Sequence, residues 1–183
     1  TDLAALAQLK QRFAKTMLYV DEAHAIGVRG EQGLGCAEQY GVLDQIDFLV
    51  GTFGKAIASV GGYIICDSIM RDYLINKMRP LIFSTALPPI SMAWSDFIFN
   101  KVLNMQQQRQ HLAEISQYLQ QAVIAKGFSS PSSSHIIPII LGESQAAIEK
   151  ARYVQQQGFY AMPVRPPTVP QNSSRLRISL TAL

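Results

Sequence analysis

An α/β architecture is what this sequence predicts: a mostly parallel sheet followed by a second, smaller α/β module. Three observations carry that expectation. Short apolar runs without helical period, "TMLYVD", "DFLVGTF" and "GGYIICD", recur between helix and loop segments, the pattern of strands buried in a parallel sheet. A long helical stretch, Ser91 to Ala125, follows them. After "SSPSSS" a strand–helix–strand pattern begins afresh.

The elements follow in order. Leu3 to Phe13 has the spacing of a short amphipathic helix, and Thr16 to Asp21 reads as a buried strand. "HAIGVRGEQGLG" is a loop punctuated by glycine, and the second and third apolar runs come after it. Ser68 to Met78 predicts a helix, and "LIFSTAL" a fourth strand. Pro88-Pro89 stands where a helix can begin, because proline at the first helical position gives up no intrahelical bond. The stretch to Ala125 forms one helix or two and stops at Gly127. Ser129 to Ser134 is too poor in apolar residues to pack and predicts a turn or linker. Beyond it come a strand "HIIPIIL", a helix Ser144 to Gln157, a strand "GFYAMP", a proline-rich loop and a strand "RLRISL". The expected divisions are residues 1–90 as part of a larger domain, 91–127 as connecting helices and 128–183 as the small domain.

Composition narrows the function classes. An apolar content of 48% fits a packed core, and a formal charge of +3 is too small and too scattered for a nucleic-acid stripe. Cys36 and Cys66 have no CxxC or Cys/His ligand spacing, so a disulfide frame and a metal site are not expected. The first residues lack the basic n-region of a signal peptide, and no apolar run approaches the roughly 20 residues of a membrane helix. A cytoplasmic protein is expected, with no membrane partner. The chain has no initiator Met and ends straight after a strand-like run, so it reads as a piece of a longer protein.

"LYVDEAHAIG", Leu18 to Gly27, poses the chemical question. Asp-Glu-Ala-His after an apolar run is how the Mg²⁺-binding strand of a DEAH-type ATPase looks. Such an ATPase needs GxxxxGK[ST] to cradle phosphates, and this chain has none. It also has no "QRxGRxGR" segment downstream. The glycine loop does not make a dinucleotide site either, because Glu38 follows Gly33 and Gly35 where a third glycine belongs.

"GTFGKAIASVGG", Gly51 to Gly62, offers another chemistry. Lys55 follows a strand between small residues, which let a planar ligand approach the backbone. A partly buried lysine has a lowered pKa, so its neutral amine can attack an aldehyde. Alone, Lys55 would read as a surface loop lysine. Asp21 ends another strand, however, and in a parallel sheet both could face one crevice. A carboxylate held against a pyridine nitrogen makes the ring an electron sink. His24 could serve the ring oxygen and Thr52 a phosphate. Acid, imidazole, hydroxyl and amine together are what pyridoxal 5'-phosphate (PLP) requires.

"VDEAHAIGVRGEQGLG", "GTFGKAIASVGGY", "FSTALPP" and "VRPPTVPQNSSRLRISLTA", in that order and covering nearly the whole chain, closely resemble the α-oxoamine synthases. The resemblance implies the fold-type I PLP transferase fold, here the C-terminal part of its large domain plus a truncated small domain. It implies that Lys55 bonds to the cofactor and shuttles the substrate α-proton, with Asp21 at the pyridine nitrogen, His24 at the ring oxygen and Thr52 at the phosphate. Thr85 would reach the phosphate of a neighbouring subunit, which implies a homodimer with shared sites; equally, its hydroxyl could cap its own turn. Arg165 and Arg177 are candidates for the substrate carboxylate and Thr168 for a substrate contact. Arg175 should share a strand face with Arg177. The implied reaction joins an amino acid to an acyl thioester with loss of CO₂. "RPPTVP" favours L-alanine and a pimeloyl thioester. Related enzymes use glycine with acetyl or succinyl groups, or serine with a long acyl chain. The family's N-terminal half is missing, so this piece alone is expected not to turn over.

Overall fold

A computed structural model of the chain describes residues 1–182. It divides into two compact units, Thr1–Gln106 and Gln107–Leu183.

In the first unit, helix α1 (Leu3–Arg12) starts at Asp2, whose Oδ1 accepts the Ala5 N–H at 2.9 Å and satisfies a donor of the open first turn. Its buried Leu3 and Ala7 join Ala37, Val42 and Leu49 in one core cluster. Strands β1 (Tyr19–Asp21), β2 (Phe48–Thr52) and β3 (Gly62–Ile65) form a sheet in that order. β1 and β2 are parallel with Asp21 opposite Val50, whereas β3 runs antiparallel with Tyr63 opposite Gly51. The expected parallel direction therefore holds for the first pair and not for β3. Residues 53–61 are fewer than the roughly dozen that a parallel crossover needs, so the chain can only turn back.

Helix α2 (Cys36–Gln39) follows the glycine loop, and α3 (Ser68–Lys77) is capped by Asp67, which accepts the Met70 N–H at 2.7 Å. "LIFSTAL" is not a strand. Its first residues belong to helix α4 (Arg79–Ile82), and an irregular exposed segment leads from there to α5 (Pro89–Leu103). A short apolar run is ambiguous between strand and helix, and Pro80 in the first turn favours a helix start. Pro89 opens α5 as expected. The long helical stretch is indeed two helices, with α6 (Gln106–Ala125) beginning after Asn104 and Met105. Val102 of α5 meets Ile26 and Ile57 in a second core cluster of this unit.

In the second unit, α6 ends before Gly127, whose φ of 84° suits glycine as a stop. The serine-rich segment is tied down, since the Gln120 side-chain amide donates to the Ser130 and Ser132 carbonyls. Strands β4 (Ile136–Gly142), β5 (Met162–Val164) and β6 (Ser174–Ser179) make an antiparallel sheet ordered β4-β6-β5. Helix α7 (Ser144–Gln156) buries Ala147 and Ala151, and Ser144 is hydrogen-bonded to Ser174 of β6.

Candidate active site

β1 and β2 end side by side and set the site. Partners across a ladder share a face and successive residues alternate, so Asp21, opposite Val50, lies on the same face as Thr52. Asp21 Oδ1 accepts the Ala23 N–H at 2.8 Å, and Oδ2 has no hydrogen-bond partner among the described residues. The next residue does something else. The Glu22 N–H bonds to Val50 O at 2.8 Å, while its carboxylate is buried and accepts the Ala37 N–H at 2.7 Å, at the start of α2. The acidic pair splits, one carboxylate toward the strand-end rim and one into the core.

The lysine loop is held at its base. Thr52 Oγ1 donates to Gly61 O at 3.1 Å and accepts the Gly54 N–H at 3.0 Å. The Phe53 N–H reaches Gly61 O at 3.0 Å, and the Ala58 N–H closes back on Lys55 O at 3.0 Å. Lys55 itself is exposed, not partly buried as expected, as are its neighbours Gly54 and Ala56. The loop after β1 touches this one. A Cβ on Gly27 would lie 3.1 Å from Ala56 Cβ, and Ile26 packs with Ile57. His24, exposed, sits in that neighbouring loop.

Several residues that build this region gave no motif signal. Glu38 accepts the Gln32 and Leu34 N–H groups at 2.9 and 2.8 Å, and a side chain on Gly30 would collide with its carboxylate. The glycine loop is therefore wrapped around two carboxylates, Glu22 and Glu38. An acidic residue in the first turn after a glycine-rich loop was the available clue. Tyr63 lies over Gly51, where an added Cβ would be 2.4 Å from its hydroxyl, and that buried hydroxyl has no hydrogen-bond partner among the described residues. Burial pushes the phenol up, and the carboxylates of Glu22 and Asp21 push it further. The Cys36 thiol is likewise raised by burial and then by Glu22.

Thr85 stands in the irregular segment between α4 and α5, exposed, and not at a strand end. Arg165, Thr168, Arg175 and Arg177 belong to the second unit. The Thr168 N–H bonds to Arg165 O at 3.0 Å, so these two share a turn. Arg175 and Arg177 alternate with buried Ser174 and Leu176 and thus lie on the other face of β6. Arg175 Nε donates to Ser173 O at 2.9 Å, whereas Arg177 Nε is buried without a partner among the described residues. Among the described residues no cluster of three or more His, Cys, Asp or Glu could hold a metal, and no helix is long and apolar enough to cross a membrane.

Strand-end Asp, a hydroxyl on the same face and a lysine in the next loop, on a mixed sheet, define the fold-type I PLP transferase class. The chain belongs to the aminotransferase class I and II family, whose model matches residues 1–183. Among curated relatives, a Pasteurella multocida protein bearing the provisional name 8-amino-7-oxononanoate synthase is 58% identical over 99% of this chain and 47% of its own length. The chain thus spans about half the length of the curated relatives it matches. The Sphingomonas wittichii serine palmitoyltransferase structure is 32% identical with a TM-score of 0.91, covering 98% of this chain and 46% of that one. The Francisella tularensis 8-amino-7-oxononanoate synthase structure is 27% identical with a TM-score of 0.83, covering 96% and 52%. Another serine palmitoyltransferase structure of this group, 29% identical with a TM-score of 0.92, was solved with PLP and covers 100% of this chain and 46% of its own.

Proposed function

We propose that this chain is the lysine-bearing part of a PLP-dependent α-oxoamine synthase. The reaction proposed for the whole enzyme condenses L-alanine with a pimeloyl-CoA or pimeloyl-carrier-protein thioester, giving 8-amino-7-oxononanoate and CO₂ in biotin biosynthesis. The observation that carries this is the common face of Asp21 and Thr52 at adjacent strand ends, with Lys55 three residues beyond Thr52. The 58% identical relative supports the particular reaction. The serine palmitoyltransferase neighbour at 32% identity favours a second reading, in which glycine or serine and another acyl group are the substrates.

PLP, when bound, supplies an electron sink for negative charge at the substrate Cα. Asp21, with one carboxylate oxygen lacking a partner among the described residues, would keep the pyridine nitrogen protonated. His24 would serve the ring oxygen, and Thr52, whose hydroxyl stands at the strand end, the phosphate. Lys55 would hold the cofactor through its amine and, once freed by the incoming amino acid, would carry the substrate α-proton on Nζ. A guanidinium fork matches the substrate carboxylate bidentately, and the Nε of Arg177, buried with no partner among the described residues, favours it over Arg165. Thr168 contacts substrate from the turn it shares with Arg165. Thr85 reaches the phosphate of the neighbouring subunit in a homodimer. Leu81, Phe83 and Ile90, exposed on one stretch, support an apolar dimer face there. A cytoplasmic setting accompanies this chemistry and keeps Cys36 and Cys66 as thiols.

Borohydride reduction after incubation with PLP, followed by peptide mapping, tests the proposal. A pyridoxyl group on Lys55 that disappears in Lys55→Ala is expected. Labels spread over surface lysines, in a protein carrying both halves of its relatives' length, would overturn it. Turnover is expected only where those further residues are present. Alanine outcompeting glycine and serine with a pimeloyl thioester separates the two substrate readings.

A further inference from the structure

We infer that Trp94 is a positioning residue for Lys55, its indole N–H holding the turn behind the lysine against α5. The inference rests on the role proposed for Lys55. Trp94 Nε1 donates to Ala58 O at 2.9 Å, across 36 residues of chain. Ala58 has a φ of 50°, a left-handed conformation that a residue with a Cβ adopts only under strain. A strained turn persists when its surroundings over-determine it, and α5 is the surrounding that does so. Ser95 Oγ donates to Ser91 O of the same helix at 2.8 Å. Ser59 Oγ lies 2.8 Å from Ser95 Oγ and donates to Ser91 O at 3.5 Å, a second tie from the loop to the helix. Ile57, fully buried, packs with Val102 as a third.

Lys55 lies between two sets of anchors. Upstream, Thr52 and Phe53 are bonded to Gly61; downstream, Ile57, Ala58 and Ser59 are bound to α5. The lysine's own side chain is exposed, so the direction in which it leaves the loop is dictated by these backbone anchors. Trp94 is 46% exposed, more than a side chain held mainly for core packing would be. Its polar contact to Ala58 is the specific part of its contribution.

The gene product that carries this chain, loaded with PLP, is compared with its Trp94→Phe and Trp94→His variants. Phe keeps an aromatic ring and loses the donor; His keeps a ring N–H. In Trp94→Phe the Ala58 and Ser59 amides should exchange with deuterium up to about tenfold faster, the worth of one net hydrogen bond. The pH midpoint of the PLP–lysine absorption band should move. The turnover number should fall about tenfold, with KM changed far less, as expected for a misplaced reacting group. Trp94→His should recover part of each effect. Unchanged exchange and an unchanged band midpoint in Trp94→Phe would overturn the inference. If the unsubstituted protein takes no borohydride-fixed PLP on Lys55, the functional proposal falls and takes the catalytic part of the inference with it. Exchange at Ala58 and Ser59 would still decide the clamp by itself.

Discussion

Asp21 and Glu22 are neighbours in the chain with unrelated tasks, and the difference lies in which way a strand residue points. Asp21 takes one backbone N–H and keeps an oxygen available; Glu22 caps α2 from inside the core. Their substitutions should therefore fail differently. Asp21→Asn keeps an oxygen for the Ala23 N–H, so thermal unfolding should be nearly unchanged while cofactor-dependent turnover is lost. Glu22→Ala leaves the buried Ala37 N–H without an acceptor, which costs about 1–3 kcal/mol, and the thermal midpoint should fall by several degrees. Calorimetry beside an activity assay on both variants checks the contrast. The residue type at Asp21 was legible in "VDEAH" because a charge closing an apolar run is unusual. The buried role of Glu22 was not, because the partner that claims it, Ala37, is 15 residues away.

At the scale of elements, α1 is held to the sheet by an ion pair that makes a pH prediction. Lys10 Nζ lies 2.7 Å from Asp47 Oδ2, which also accepts the Leu18 N–H at 2.7 Å ahead of β1. Burial pushes the Asp47 carboxyl up, but the hydrogen bonds from Lys10 and Leu18 and the lysine charge outweigh it, and the net shift is downward from 3.8. A carboxyl lowered on folding stabilises the fold above its unfolded value, and that contribution is lost as pH falls through the folded value. Asp47→Asn should thus be less stable than the parent at neutral pH, with the two converging below about pH 4, the ordinary carboxylate range. Urea unfolding at pH 7 and pH 3 measures it. "GGYIIC" was correctly seen as a strand, and its direction was already implied by the short connection from Thr52. "LIFSTAL" had the composition of a strand but no strand among the described residues to pair with.

At the scale of the molecule, the two units divide the candidate residues. Asp21, His24, Thr52, Lys55 and Thr85 lie in the first, and Arg165, Thr168, Arg175 and Arg177 in the second. The apolar side chains left exposed between α4 and the start of α5 bear on assembly. Ile90, 77% exposed in the first turn of α5, is a suitable probe, because an acidic residue near a helix N-terminus does not harm the helix. Ile90→Asp should lower the molar mass of the proposed homodimer toward that of a monomer in light scattering, with helix content retained. An unchanged mass would remove this face from the dimer interface.

The sequence by itself determined the α/β class, most of the helices and strands, and the residue types on which the proposed cofactor site rests. Apolar period, glycine and proline positions and the spacing of a lysine behind a strand are local properties, written within a few residues of where they act. Tertiary structure alone decided that Asp21 and Thr52 share a face, that Glu22 and Glu38 shape the glycine loop, and that Trp94 reaches Ala58. Side-chain direction depends on register, and a hydrogen bond across 36 residues depends on which helix packs beside which loop. Neither is a property of any short stretch of sequence, because both are set by how distant segments meet.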